Sequence, residues 1–191
     1  WLAGGTPTAT NVATTGVMTS GSVFINGSSD TSFTPGSTIY PEKISANTTN
    51  GFSMVEYDGN LTSGATVAHG LSQAPELYVL HSLDVNNSWQ MYADPLGSNH
   101  RFIQLNEFGA YESNTNRWND TSPTPSLFSL GNGTAVNASG EPFIVYCFHS
   151  VEGYSKVGRY EGNGEEAADA PFVYCGFRPA CVMIKSVDAG T

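Results

Sequence analysis

The feature that most constrains this chain is a match of the chain to itself. Gly51-Phe-Ser-Met-Val-Glu-Tyr-Asp-Gly-Asn60 returns as Gly153-Tyr-Ser-Lys-Val-Gly-Arg-Tyr-Glu-Gly-Asn163, with one extra residue between Val157 and Tyr160. The match runs on: Gly70, Pro75, Ser82 and Asp84 fall against Gly176, Pro179, Ser186 and Asp188. The two copies start about a hundred residues apart, the size of a small β-domain. A self-match at that spacing fixes architecture before any single residue is interpreted. It divides the chain into three: 1–50 as the end of an upstream module plus a connector, 51–152 as a complete β-sandwich repeat, and 153–191 as the start of a second repeat. A chain that starts at Trp1 and stops inside a repeat reads as a segment of a longer polypeptide. Alternatively, a neighbouring chain completes the partial repeat.

The pattern inside the unit is that of strands. Phe52, Met54 and Glu56 alternate with Ser53, Val55 and Tyr57, a period of two. Further strands are expected at 22–25, 38–40, 65–69, 75–81, 89–94, 101–105, 126–130 and 142–149, with a weak one near 108–111. Asn26-Gly27, Asp58-Gly59, Asn132-Gly133 and Ser139-Gly140 supply the turns. A short helix around 41–46 is considered, but nothing caps it. Residues 1–21, rich in Gly, Thr and Ala, read as a linker or a surface excursion. Short strands at intervals of roughly eight to twelve residues, with no helical period, point to an all-β fold: antiparallel, β-sandwich or jelly-roll-like, in tandem units. The second copy should add strands at 156–160, 172–175 and 181–185.

Composition narrows the function. The net charge is −10 and only 13% of residues are charged, against 39% apolar and 12% aromatic. The apolar share supports a core and argues against global disorder. An acidic chain with seven scattered Lys and Arg offers no patch for nucleic acid. No run of eighteen apolar residues occurs, so no membrane insertion is expected. A surface solvated by hydroxyls and amides suits extracellular and virion β-proteins.

Candidate chemistry is sparse. His69, His81, His100 and His149 share no metal-ligand spacing, and no Gly-x-Ser-x-Gly elbow is present. Glu56 and Asp58 lie on one strand face, but Asp58 reads as a turn-former and Glu56 has no acidic counterpart in the second copy. The Glu165-Glu166 pair reads as a solvated turn. Cys147 reads as a buried strand residue. Cys175 and Cys181 either bridge a loop or are two core residues, with free thiols favoured. Asp84-Val-Asn-Asn-Ser88 resembles part of an oxygen-rich calcium loop, but reads better as a loop tip whose turn Asp84 caps. Asn-x-Ser/Thr sequons, among them Asn137, read as turn composition rather than as glycan sites. No cofactor, metal or catalytic residue is assigned, and the chain reads as not an enzyme. The candidate ligand-contact residues are Trp118, Asp84, Asn86 and Trp89. Trp118, in a polar loop, is the better candidate for exposure, although an anchor for that loop is the stronger reading.

These residues also carry a resemblance. Gly51–Asn60, His69-Gly-Leu71, Pro75-Glu76, the stretch from Ser82 to Trp89, Trp118-Asn-Asp-Thr-Ser-Pro-Thr124 and Val136-Asn-Ala-Ser-Gly140 with Tyr146 resemble a repeat of uncharacterised function. It occurs in tail-fibre and other virion structural proteins of marine tailed bacteriophages. The lead-in Trp1-Leu-Ala-Gly-Gly-Thr-Pro-Thr8 is similar too. The resemblance implies an extracellular virion component, a tail fibre, appendage or surface protein of tandem β-modules. Its expected partners are other copies of itself, other virion proteins and a host-surface glycan. The second reading is a secreted carbohydrate-binding module or lectin.

Overall fold

The computed structural model describes residues 4–165 and 169–188. Glu166 of the expected acidic turn, 1–3 of the first segment and 189–191 of the expected second unit lie outside them. The described strands are β1 (Val23–Ile25), β2 (Ser28–Ser29), β3 (Lys43–Asn47), β4 (Phe52–Asp58), β5 (Ala65–Ala68), β6 (Leu77–Ser82), β7 (Gln90–Ala93), β8 (Arg101–Gln104), β9 (Glu112–Ser113), β10 (Leu127–Leu130) and β11 (Pro142–Phe148). Two single α-helical turns, α1 (Thr115–Trp118) and α2 (Thr134–Asn137), and a 3-10 turn at Asp94–Leu96 interrupt them. The fold is all-β. Among the described residues the layers are unequal: a nine-stranded sheet in the order β2-β1-β3-β4-β11-β6-β7-β8-β9, and a two-stranded sheet of β10 and β5. Pairing is antiparallel except between β1 and β3, which run parallel.

Period-two patterning explains the large sheet. Along β4, Ser53, Val55 and Tyr57 are buried while Met54 and Glu56 are half-buried. β11 repeats this with Phe143, Val145 and Cys147 inside and Ile144, Tyr146 and Phe148 outside. The inward set packs with Val67, Phe128 and Leu130 of the small sheet, closed by Trp118 and Val136. Tyr57 stacks on Phe143 at 5.4 Å, and Tyr78 on Tyr92 at 4.6 Å. Each such buried ring contributes about 1.5–3 kcal/mol through area removed from water.

Buried polar groups lock the loops to this core. The Tyr57 hydroxyl donates to the Val136 carbonyl at 2.6 Å. Asn137, fully buried, donates to the carbonyls of Thr62 and Gly131 and accepts from the Asn60 N–H. Its amide is thus enclosed in the loop junction. Gly59 passes so close that a Cβ there would lie 2.2 Å from the Ala138 carbonyl oxygen. Asn26 and Gly27 both take positive φ, the left-handed pair that a tight β1–β2 hairpin requires.

The sequence boundary at residue 50 does not coincide with any edge of the sheet. β3 pairs with β4, and Met18, Val23, Ile39, Ile44 and Ala46 sit in the same core as β4 and β11. The helix considered at 41–46 is β3 instead, since Ile44 and Ala46 point inward and Lys43 and Ser45 pair across to β4 on the other face. Residues 4–21 form no strand but are fastened: the Asn11 N–H reaches the Glu42 carbonyl, and the Asn11 side chain accepts from Ala13 and Thr19. The weak strand expected near 108–111 lies slightly later, as β9, and Phe108 is exposed.

The expected strands at 156–160, 172–175 and 181–185 are not formed; one bridge, Val151 to Ser155, marks the start of the segment. The reason is the absence of neighbours rather than composition. β4 has β3 and β11 on its two sides, β6 has β11 and β7, and β5 has β10 on one side and the Ile39 bridge on the other, so their backbone groups are satisfied. Those neighbours are already taken.

Candidate functional site

The outer face of the large sheet carries the most unusual side chains. Strand register places Lys43, Glu56, Ile144 and His81 in one row across β3, β4, β11 and β6. Trp89 precedes β7 at the next position of that row. Its ring lies 4.7 Å from that of His81 and 6.3 Å from that of Tyr146, within 16° of parallel to the tyrosine. All three are half-buried. The Trp89 N–H donates to Asn106 Oδ1 at 2.8 Å, which fixes the entry into β7. The row ends at the Lys43–Glu56 ion pair, 2.7 Å long and about a third exposed at each side chain. At that exposure it adds at most about 1 kcal/mol.

The loop from Leu83 to Ser88 borders this row. Leu83, Asp84, Val85 and Asn86 are exposed. The turn is capped by Ser82, whose Oγ accepts from the N–H groups of Asp84 and Val85. That differs from the expected capping by Asp84, because Ser82 closes the strand and reaches two donors in the turn.

Of the sequence-derived candidates, Trp89 reaches an exposed face and Asp84 and Asn86 stand on the adjoining loop. Trp118 does not. It is 0% exposed, its Nε1–H donates to the Arg101 carbonyl, and it meets Tyr78 edge-on at 4.9 Å. α1, capped by the Asn114 side chain, drives this ring into the core and so anchors the polar loop. Tyr146 and His81 were missed as partners of Trp89. The alternation in 142–148 and 77–82 already put them on the outward face; only strand order could bring them beside Trp89.

His69 is buried, accepting from the Leu71 N–H at Nδ1 and donating from Nε2 to the Thr124 carbonyl. Burial pushes its pKa down to about 4, against the partly offsetting carbonyl contact. Burial likewise pushes the Cys147 thiol up to about 12. All three cysteines are free. Among the described residues, no three His, Cys, Asp or Glu side chains gather as metal ligands would. No helix among them is long and apolar enough to cross a membrane.

Residues 5–191 match the sequence model of the domain of unknown function DUF7483. The chain belongs to the DUF7483 family. No curated protein and no solved structure matches it. The DUF7483 match takes in 153–165 and 169–188, whose described residues form no strand, together with the sandwich.

Proposed function

We propose that this chain is a non-catalytic structural component of a virion, a tail fibre, appendage or surface protein, that assembles outside the cell with other copies of itself and other virion proteins. One observation carries the assembly part. Spaced residues of β4 and of the stretch from Gly70 to Asp84 recur between 153 and 188, and there Tyr160, Val173, Val182 and Ile184 are exposed and in no strand. Large apolar residues exposed along one stretch offer surface that a neighbouring unit or chain can cover. The virion part is supported by the resemblance of the Gly51–Asn60, Trp118–Thr124 and Val136–Gly140 motifs. A surface that owes little to ion pairs keeps its stability at high ionic strength, as a marine particle requires.

Electron microscopy of the intact assembly tests this. A regular rod or shell component made of repeated β-units is the expected outcome. A lone module on a tether would sink the assembly reading.

The aromatic row favours a second reading, glycan binding. Near-parallel rings on a half-exposed sheet face offer apolar surface to the C–H face of a sugar, and the Asp84–Ser88 loop offers polar contacts beside it. Titration of neutral oligosaccharides, followed by tryptophan fluorescence, should then saturate. Tyr146→Ala should abolish it, and a glycan array with no hits would end this reading.

A further inference from the structure

We infer that Asn163 is a site of spontaneous covalent modification in the folded chain: the Gly164 backbone nitrogen closes on the Asn163 side chain and converts it to aspartate and isoaspartate. Neither the assembly nor the glycan site proposed above uses this residue.

The chain holds four Asn-Gly steps, at Asn26, Asn50, Asn132 and Asn163. Such a step is a reactive setting for an asparagine, because glycine has no Cβ to keep its backbone nitrogen away from the side-chain carbon before it. The reaction needs a glycine N–H that is not engaged, a peptide unit with room to turn, and an electrophilic amide carbon. The fold separates the four steps on these terms.

Asn26 is held. The Gly27 N–H donates to the Gly4 carbonyl at 2.6 Å, the Asn26 amide donates to Thr48 Oγ1, and its Oδ1 accepts from the Thr48 N–H. At Asn132 the Gly133 N–H donates to the Asn116 carbonyl at 2.8 Å, and a Cβ on Gly133 would lie 2.6 Å from that oxygen, so the peptide has no room to turn. At Asn50 the following glycine is enclosed. Gly51 is buried, its carbonyl accepts from the His149 N–H, and a Cβ there would lie 2.7 Å from the His149 carbonyl oxygen.

Asn163 differs on every count. Asn163, Gly164 and Glu165 are exposed, and the Gly164 N–H has no hydrogen-bond partner among the described residues. A Cβ built on Gly164 meets nothing within 4 Å, so the peptide can turn freely. The Glu165 N–H donates to Asn163 Oδ1 at 3.1 Å, a turn that folds the side-chain amide back over the Gly164 peptide. The same donor polarises the amide carbon and stands where negative charge develops on its oxygen.

The step balances without oxidant, metal or enzyme. The Gly164 nitrogen gives up its proton to solvent and bonds to Asn163 Cγ. The Cγ–Nδ2 bond breaks, and ammonia leaves with a proton from water. Water then opens the ring imide at Cγ to give aspartate, or at the main-chain carbonyl to give isoaspartate. Either product gains a negative charge and loses the amide hydrogen that Nδ2 donates to the Asp169 carbonyl at 2.7 Å, which unties 163 from 169.

The full chain is incubated at mildly alkaline pH, folded and in denaturant, and followed by peptide mapping with mass spectrometry. In the folded chain Asn163 should deamidate at least about tenfold faster than Asn26, Asn50 and Asn132, whose reaction waits on local opening. In denaturant the four should react at similar rates. Gly164→Ala, which puts a Cβ beside the attacking nitrogen, should slow Asn163 several-fold and leave the others unchanged. Comparable rates at all four sites in the folded chain would overturn the inference, as would an Asn163 rate indifferent to Gly164→Ala. So would an Asn163 that stays intact when folded yet reacts in denaturant, because the turn would then shield the amide rather than present it.

Discussion

Residues 51–84 and 153–188 share a spaced set of residues, among them Gly51 and Gly153, Tyr57 and Tyr160, Pro75 and Pro179, and Asp84 and Asp188, yet their described residues are in two physical states. In the first, Val67, Tyr78 and Leu80 are fully buried; in the second, Val173, Val182 and Ile184 lie between 49% and 67% exposed. The difference is not propensity, because Cys181-Val-Met-Ile-Lys185 is at least as β-prone as Leu77-Tyr-Val-Leu-His81. It lies in the neighbours. β6 has β11 on one edge and β7 on the other, whereas 181–186 has neither. Strand structure in this protein is a property of the sheet, not of the strand.

The comparison can be broken at matched positions. The widest gap is expected in thiol chemistry. Cys147 is buried and its pKa is pushed up to about 12, while Cys181 is exposed. Timed labelling with a thiol reagent should modify Cys181 in the folded chain and reach Cys147 only through unfolding, slower by on the order of a thousandfold or more. Equal rates would mean that the β4–β11–β6 core opens as readily as the segment.

Next come Leu80→Ala and Ile184→Ala, the same position in each copy. Denaturant unfolding should show a loss of about 2–5 kcal/mol for the first. The second should stay within about 0.5 kcal/mol of the parent, as an exposed substitution does. A comparable loss in both would mean that 181–186 is packed.

His69 sharpens the comparison through pH, since Cys175 replaces it in the second copy. Folded, its ring stays neutral down to about 4; unfolded, it takes a proton near 6.5. The unfolded chain therefore binds the extra proton between those values, so stability falls as pH drops from 6.5 toward 4 and levels below. The loss is about 3 kcal/mol at most. Unfolding midpoints measured across that window should fall on acidification, and a flat profile would remove His69 as the cause.

The smallest effect is a hydroxyl. Tyr57→Phe removes the bond to the Val136 carbonyl and should cost about 1–2 kcal/mol in thermal unfolding. Tyr160→Phe, at the matching exposed position, should cost nothing measurable.

Much of the sandwich is legible residue by residue. The alternation in Phe52–Asp58 and Pro142–Phe148 gives the strands and their inward faces, and Asn26-Gly27 gives the first hairpin. Less of the candidate site is. Trp89 can be singled out by type, but its meeting with His81 and Tyr146 depends on β11 and β6 being neighbours across more than sixty residues of chain. Trp118 shows the opposite: a polar loop around a tryptophan looks exposed until α1 turns the ring inward.

By itself the sequence determined the all-β class, the turn positions, the buried place of Cys147 and the match between 51–84 and 153–188. These follow from local chemistry: period-two alternation, glycine at positive φ, and side-chain volume. The tertiary structure alone decided that 23–47 joins the same sheet, that Asn137 is a buried junction rather than a surface turn, and that one copy of a strand sequence is folded while the other is open. Each of these depends on what lies across the sheet, because a strand's hydrogen bonds and half of its burial are supplied by another segment.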